Sequence, residues 1–223
     1  MATSRPVAVL LDVDGTLIDT TWIHTLAWAR AFEGLGELVP MHRIHPLIGL
    51  GGERLVEEAT GLPVEEAKDA HQREYLHLSA DVRLLPGARD LVRAVLEAGA
   101  RPVLATSSPP ELLDPARELL DAEQWLAGVT DAGDVDEAKP APDIFSAALE
   151  RAEAAPDRAI AVGDTGWDME AARAAGVRAI GLLTGGWRGS ELIQAGASET
   201  YEDPAALVEH LDSSIIGQML VDG

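Results

Sequence analysis

The chain has 223 residues, of which 47% are hydrophobic, and a formal net charge of −21 at pH 7. A negative charge of this size repels a phosphate backbone and argues against a nucleic acid partner, and no apolar run approaches the roughly 20 residues that a membrane-spanning helix needs. The chain contains no cysteine, which excludes disulfides, zinc–thiolate sites and thiol nucleophiles. We expect a cytoplasmic, monomeric α/β protein whose N-terminus carries no signal-peptide core.

The first part of the chain is predicted to be one strand followed by a long helical insertion. Residues 5–12 have the apolar character of a parallel strand that is covered on both faces. The next strand of this kind begins at residue 101. Because the segment between them is too long for one strand–helix connection, we interpret it as an inserted cap, with helices predicted at 21–32, 44–48, 53–60 and 64–79.

After the insertion, helices and strands alternate regularly, which predicts a Rossmann-like, doubly wound parallel sheet. Helices are expected at 88–98, 110–120, 143–152 and 169–175, and strands at 101–105, 128–130, 159–162 and 178–182. Ser108 is placed to cap the helix that starts at residue 110. We therefore predict a core domain at 1–19 and 85–215, a helical cap domain at 20–84, and a loosely attached C-terminal tail at 216–223.

Two carboxylates, Asp12 and Asp14, follow the first predicted strand directly. Residues two apart on a strand point to the same side, so the two acids converge if the backbone stays extended and separate if Gly15 lets it turn away. Two such acids repel each other unless a cation lies between them, and carboxylate oxygens suit Mg²⁺. The competing interpretation is a solvated Asp-x-Asp-Gly turn.

Three later segments also place polar side chains beyond strands of the predicted sheet. They are Thr106-Ser107-Ser108, Lys139-Pro140-Ala141-Pro142-Asp143 and Gly163-Asp164-Thr165. Ligands of open α/β sheets bind outside the carboxyl ends of the strands. We therefore expect these hydroxyl, ammonium and carboxylate groups to meet the acid pair in one crevice.

In order and content these segments resemble the four motifs of the haloacid dehalogenase superfamily. The matching residues are Asp12-x-Asp14-Gly15-Thr16, then Thr106, then Lys139-Pro140-x-Pro142-Asp143-x-Phe145, then Gly163-Asp164-Thr165-x-x-Asp168. The resemblance covers essentially the whole chain, since the insertion is similar to the small helical cap of the superfamily's phosphatase-like branch, which includes phosphoglycolate phosphatases and β-phosphoglucomutases. It implies phosphoryl transfer through an aspartyl-phosphate, with Mg²⁺ as cofactor and a small phosphorylated metabolite as substrate.

The resemblance also implies a role for each acid of the motifs. Asp12 would be the nucleophile and a metal ligand. Asp14 would protonate the leaving alkoxide, then activate water, and lend its backbone carbonyl to the metal. Asp164 would bind the metal directly. Asp168 would hold a metal-bound water or Lys139, although at the front of a helix it would also suit the macrodipole alone.

The hydroxyl and ammonium groups of the motifs would hold the phosphoryl group that is transferred. Thr106, Ser107 and Lys139 are the residues that the resemblance implies for this role. The alternatives are a helix cap for Thr106 and a solvated loop for Lys139.

The cap is expected to select the substrate. His24 and Trp28 share one face of a predicted helix because they are four residues apart, and His24 and Arg54 are candidate substrate contacts. A packed core pair and a solvated helix charge are the respective alternatives. Trp187-Arg188 follows two glycines, and the sequence does not decide whether this pair belongs to the site or has a structural role.

Several activities compete on these motifs. The dehalogenases of the superfamily lack the second acid, so Asp14 favours phosphoryl chemistry. Phosphoglucomutase-like relatives resemble the chain at His24 and Trp28, but they carry an arginine near the position of Gly52, which disfavours a mutase. A receiver domain orders its motifs differently and has no large insertion. We predict a phosphatase, with a phosphomutase or a non-catalytic phospho-ligand binding protein as alternatives.

Overall fold

The computed structural model of the protein describes residues 6–222 and contains one six-stranded parallel sheet. Its strands are β1 (Ala8–Leu11), β2 (Arg101–Ala105), β3 (Gly128–Thr130), β4 (Ala159–Gly163), β5 (Arg178–Leu182) and β6 (Ala197–Tyr201), in the spatial order β3-β2-β1-β4-β5-β6. The predicted doubly wound α/β fold is confirmed. The first strand begins at Ala8, and residue 5 of its predicted range lies outside the described part of the chain.

Eleven α-helices accompany the sheet within residues 6–222. They are α1 (Thr21–Gly34), α2 (Met41–Ile44), α3 (Gly52–Ala59), α4 (Val64–Leu78), α5 (Ala88–Glu97), α6 (Pro110–Leu120), α7 (Asp143–Ala152), α8 (Gly166–Ala174), α9 (Gly189–Ala195), α10 (Pro204–Glu209) and α11 (Ile215–Val221). In the described part of the chain, no helix has the length and apolar character that crossing a membrane requires.

The central strands β1 and β4 are buried on both faces, which explains why they are continuously apolar. Along β1, Val9 and Leu11 point into one core with α5, α6, α10 and α11, whereas Ala8 and Leu10 point into a second core with α7, α8 and α9. This alternation follows from the two-residue period of a strand. β1 lies at the centre of the sheet and is hydrogen-bonded to β2 on one side and to β4 on the other.

The insertion forms α1 to α4 and has an apolar cluster of its own, which includes Trp28, Phe32 and Leu55. Its two connections to the sheet run side by side: the backbone N–H of Asp19 donates to the carbonyl of Arg83 at 2.9 Å, and that of Leu85 to the carbonyl of Leu17 at 2.9 Å. The boundaries predicted for the cap domain fall in this pair of connections, and the division into domains stays a prediction.

The C-terminal segment differs from our expectation of a loose tail. Ser214 caps α11, accepting hydrogen bonds from the backbone N–H groups of Ile216 and Gly217, and Ile215, Ile216 and Met219 are buried in the first core. The reason is visible in the spacing, because the three apolar residues lie on one side of a helix behind a serine cap. Gly223 lies outside the described residues.

The stretch that forms α9, β6 and α10 was not predicted. β6 lies at one edge of the sheet, and its sequence, Ala-Ser-Glu-Thr-Tyr, is only partly buried. A half-exposed edge strand carries a weaker hydrophobic pattern than a central one, which explains why no strand was predicted here.

Candidate active site

The two acids that follow β1 bind different partners. Asp12 is buried, continues the β-ladder through a 2.9 Å hydrogen bond from its N–H to the Val162 carbonyl, and accepts from Nζ of Lys139 at 2.5 Å. Asp14 keeps 20% of its side chain exposed and binds residues of the cap connection instead. Gly15 takes a φ of +80° between them and the cap, a conformation that glycine adopts at little cost. Of the two arrangements left open by the sequence, the separated one is found.

Lys139 lies between two carboxylates, with Nζ 2.5 Å from Oδ1 of Asp12 and 2.7 Å from Oδ1 of Asp168. It is 2% exposed, and Nζ is 5.6 Å from the ring centre of Phe145. Burial by itself would lower the pKa of Lys139, but the charges of Asp12 and Asp168 outweigh it and raise that pKa. The lysine is therefore a fixed positive charge on the carboxyl side of the sheet.

Asp164 and Asp168 follow β4, and both are 1% exposed. Oδ1 of Asp164 accepts from the Thr16 hydroxyl at 3.0 Å, whereas its Oδ2 is buried and meets no hydrogen-bond partner within residues 6–222. Asp168 accepts from the backbone N–H of Thr165 at 3.0 Å and from its hydroxyl at 2.6 Å, completing a capping box at the start of α8. Asp168 thus both caps a helix and holds Lys139.

Asp12, Asp164 and Asp168 form a group in which one oxygen from each lies within 4.8 Å of the others. Burial, together with the charges of Asp168 and Asp14, raises the pKa of Asp12 to about 7 in spite of Lys139. Burial and the neighbouring carboxylates also raise the pKa of Asp164 well above its ordinary value. A cation among them would relieve this repulsion, and hard oxygen donors with one unpartnered carboxylate oxygen fit Mg²⁺.

Glycine keeps the unpartnered oxygen of Asp164 close to the backbone. A side chain at Gly15 or Gly185 would collide with Oδ2 of Asp164. Because glycine has no side chain, the loops after β1 and β5 approach this carboxylate more closely than they could with any other residue at these two positions.

The hydroxyls after β2 surround Asp14. Thr106 is buried and its hydroxyl lies 3.3 Å from Oδ2 of Asp14, while the Ser108 hydroxyl donates to the same oxygen at 2.6 Å. The backbone N–H of Ser108 donates to Oγ1 of Thr106 at 3.0 Å. Ser107 lies in the same turn, and its buried hydroxyl has no partner among the described side chains and backbone.

Ser108 therefore differs from its predicted role as a helix cap. Pro109 precedes α6 at the cap position, and the Ser108 side chain turns to Asp14 instead. Because α6 begins at Pro110, Ser108 lies one residue before the cap position, and its hydroxyl donates instead to a charged acceptor, which forms a strong hydrogen bond.

Thr20, directly before α1, and His24, within α1, bind the other oxygen of Asp14. The Thr20 hydroxyl donates to Oδ1 at 2.8 Å, and Nε2 of His24 lies 3.3 Å from it. Burial alone would raise the pKa of Asp14, but the hydrogen bonds from His24, Ser108 and Thr20 lower it below its ordinary range. The predicted position of His24 at the site is thus found.

The other cap and loop candidates lie apart from the carboxylates. Trp28 is buried in the cap cluster, and the side chain of Arg54 is 51% exposed and 3.7 Å from Glu58. Trp187 packs against the second core and meets Trp167 edge-on, and the backbone N–H of Arg188 donates to Glu191 at the start of α9. A role for Arg54 or for Trp187-Arg188 in binding the substrate stays a prediction.

Three residues at the site were not predicted to have a role of their own there. They are Thr16, Thr20 and His71, of which His71 binds His24. The first two are hydroxyl residues within or next to the motifs, a signal that was present. Nothing local marks His71, which is 47 residues from His24 in sequence.

Comparisons with known proteins agree with this arrangement. The family model described as haloacid dehalogenase-like hydrolase matches residues 7–176. The chain is 35% identical to protein CbbY of Cupriavidus necator over 193 residues, 76% of this chain and 75% of that protein. It is 26% identical to a phosphoglycolate phosphatase of Pseudomonas putida over 228 residues, 97% of this chain and 84% of that protein.

A solved structure extends the likeness to the whole fold. A hydrolase from Pseudomonas syringae superposes with a TM-score of 0.87 at 31% identity, covering 93% of this chain and 98% of that one. The family match includes β1 to β4 and the entire cap, and hence all four motifs. The chain belongs to the haloacid dehalogenase-like hydrolases.

Proposed function

We propose that the chain is a Mg²⁺-dependent phosphatase that hydrolyses a small phosphorylated metabolite through an aspartyl-phosphate on Asp12. The observation that carries the proposal is the buried position of Lys139 between Asp12 and Asp168, beside a carboxylate oxygen of Asp164 without a partner. This arrangement supplies a nucleophile, a positive charge for the phosphoryl oxygens and a place for a cation. The names of relatives as phosphatases support the same reaction.

Formation of the intermediate uses Asp12 and the groups around it. A carboxylate oxygen of Asp12 attacks phosphorus as the bond to the substrate oxygen breaks, and the leaving oxygen takes a proton from Asp14. The Lys139 ammonium and the Thr106 hydroxyl bind the oxygens of the transferring group. Mg²⁺, held by Asp12, Asp164 and the backbone carbonyl of Asp14, would neutralise charge on the phosphoryl group.

Hydrolysis then reverses the direction of proton transfer. Water attacks the phosphorus, Asp14 takes its proton, and the bond between phosphorus and the Asp12 oxygen breaks, which releases phosphate and restores the carboxylate. In the structure the hydrogen bonds to Asp14 lower its pKa and favour this ionised, basic form. If the Ser108 and Thr106 hydroxyls turn to a bound phosphate, Asp14 loses donors and gains a negative neighbour, and both changes raise its pKa toward the acidic role.

A phosphomutase is the second candidate, because both reactions form the aspartyl-phosphate by the same steps. They differ in whether water or a sugar hydroxyl then attacks it. The intermediate of a mutase reaction carries two phosphates, and the second one needs positive groups at the mouth of the site. In the described part of the chain, Lys139 is committed to Asp12 and Asp168, and Arg54 lies beside Glu58 in solvent. This distribution of charge favours the phosphatase.

The proposal is tested by phosphate release from purified protein over a panel of phosphorylated metabolites, with and without Mg²⁺. We expect release that requires the metal. Isomerisation of a sugar phosphate without net phosphate release would favour the mutase, and binding without turnover would favour a phospho-ligand binding protein.

We expect Asp164→Ala to weaken the apparent affinity for Mg²⁺ more than Asp168→Ala does. Asp164 has the oxygen without a partner, whereas Asp168 is engaged by Thr165 and Lys139. Loss of an acid that orients other groups costs about 10- to 100-fold, and loss of a direct ligand should cost more. The measurement is activity titrated against Mg²⁺.

Asp203→Ala is the matched control for the Asp168 variant. Asp203 caps α10 through a 2.8 Å hydrogen bond from the Ala206 N–H, away from the motifs. Its loss should lower the Tm, as loss of the Asp168 cap should, without changing the Mg²⁺ dependence. A larger loss of metal affinity in Asp168→Ala than in Asp164→Ala would reverse the two roles.

Mg²⁺ affinity is expected to rise with pH. Because burial raises the pKa of Asp12 to about 7, and that of Asp164 is also raised, protons compete with the metal below neutral pH. Calorimetric titration of wild type should give an apparent Kd about tenfold weaker near pH 6 than near pH 8. Asp12→Asn removes one competing site and should flatten this dependence, whereas a pH-independent Kd in wild type would contradict the assignment.

A further inference from the structure

A chain of three polar side chains runs from the core of the site into the cap. Oδ1 of Asp14 lies 3.3 Å from Nε2 of His24, and Nδ1 of His24 lies 3.1 Å from Nε2 of His71. His71 belongs to α4, and it is linked to Asp14 only through its hydrogen bond with His24. Both imidazole nitrogens of His24 are therefore occupied, one by the core and one by the cap.

The directions of the two hydrogen bonds follow from what each atom can do. Asp14 as a carboxylate only accepts, so Nε2 of His24 must carry the proton that is donated to it. In a neutral imidazole the other nitrogen then has a lone pair. With His24 in its neutral form, Nδ1 is consequently an acceptor, and the donor that reaches it is the Nε2–H of His71.

Packing holds the two rings in this geometry. His71 and His24 are each 7% exposed. The ring of His71 stacks on Trp28 at a centroid distance of 4.1 Å, and the ring of His24 stacks on Tyr75 at 4.4 Å. Burial, with the nearby His24, lowers the pKa of His71 well below its ordinary value although Asp14 opposes the shift. A flip of either ring would break a hydrogen bond in a place that water scarcely reaches.

We propose that His71 is a positioning residue, which donates its Nε2–H to Nδ1 of His24 and so keeps the Nε2–H of His24 directed at Asp14. The effect on catalysis rests on the proposed function, because it acts through the proton that Asp14 gives and takes. The hydrogen-bond direction itself does not depend on any reaction.

The first test compares His71→Phe with His71→Gln. Phenylalanine keeps a ring to stack on Trp28 but has no N–H, whereas the glutamine amide supplies a donor near the position of the imidazole Nε2. His77→Phe is the matched control, since His77 is exposed on the same helix. The substrates are an alkyl phosphate, whose leaving group needs a proton, and p-nitrophenyl phosphate, whose leaving group does not.

For the alkyl phosphate we expect His71→Phe to lower kcat/KM about tenfold, a part of the roughly 10²- to 10⁴-fold that a positioned acid–base group contributes. His71→Gln should recover most of this loss. With p-nitrophenyl phosphate, kcat/KM should fall less than about twofold. This constant reports formation of the aspartyl-phosphate, and with this substrate that step does not need Asp14 as an acid. Equal losses on the two substrates, or no advantage of glutamine over phenylalanine, would overturn the proposal.

The second test needs no turnover and no variant. Nitrogen-15 NMR of the histidine side chains in the wild-type protein, near pH 8, should show His24 protonated at Nε2 only and His71 protonated at Nε2. A His24 protonated at Nδ1, or at both nitrogens, would overturn the proposal. If the wild-type protein releases no phosphate from any substrate, the proposed function fails, and this spectrum still decides the hydrogen-bond direction.

Discussion

Asp12→Asn is expected to lower kcat/KM for phosphate release by about 10⁴-fold or more, a loss comparable with removal of a nucleophile from other enzymes. An amide oxygen is too weak a nucleophile to form the acyl-phosphate, while asparagine keeps the volume and shape of aspartate. Lys139 retains Asp168 as its second partner at 2.7 Å. The measurement is steady-state phosphate release with the substrate found in the metabolite screen.

The fold of this variant should remain intact at neutral pH without metal. The pKa of Asp12 is raised to about 7 by burial, so its folded-state pKa lies above the unfolded value. A charge at this position therefore costs stability increasingly as the pH rises from about 4 to about 7, and asparagine removes that cost. A Tm equal to or above that of wild type near pH 8 would show that lost activity reflects lost chemistry.

Asp157→Asn is the matched control, because Asp157 is exposed in the short turn before β4. It should leave both phosphate release and the Tm unchanged. Activity of Asp12→Asn within tenfold of wild type would rule out Asp12 as the nucleophile.

Asp14→Asn is expected to lower kcat for hydrolysis by about 10²- to 10⁴-fold, the usual contribution of a positioned acid and base. The expected signature is an aspartyl-phosphate that accumulates with p-nitrophenyl phosphate, because its leaving group departs without a proton while the attacking water still needs a base. Acid quench followed by intact-protein mass measurement would detect the added phosphoryl group.

This variant should also differ from Asp12→Asn in stability. Since hydrogen bonds from His24, Ser108 and Thr20 outweigh burial and lower the pKa of Asp14 below its ordinary range, the charged form stabilises the fold above the unfolded pKa, and that stability is lost as the pH falls. Asparagine should therefore lower the Tm at neutral pH. Asp19→Asn, an exposed neighbour in the same connection, is the control. Normal hydrolysis of unactivated alkyl phosphates by Asp14→Asn would show that another group performs the acid–base step.

The layered α/β fold, and the edge of the sheet where the motifs meet, could be predicted from the order of the residues alone. The strands Arg101–Ala105, Gly128–Thr130 and Arg178–Leu182 have the limits that were predicted. An interior strand such as Arg101–Ala105 is buried on both faces and is therefore a largely apolar run, which is a local property of the chain. Parallel strands then bring their carboxyl ends to one edge, so the meeting of Asp12, Lys139 and Asp164 followed from their positions after strands and in an adjoining loop.

The hydrogen-bond partner of each of these groups depends on tertiary packing. The sequence left open whether Asp12 and Asp14 converge. In the folded chain Asp12 binds Lys139, whereas Asp14 binds His24 and Ser108. Local spacing cannot rank such partners, because each depends on how separate elements pack and on which charge is nearest once water is excluded.

The same reason accounts for α11 and for His71. The helix Ile215–Val221 is short and marginal alone, and it is stabilised by the core against which Ile216 lies. His71 meets His24 only because α1 and α4 pack together across 47 residues of sequence. Contacts of this range arise from the shape of the packed cap, which no local pattern of residues encodes.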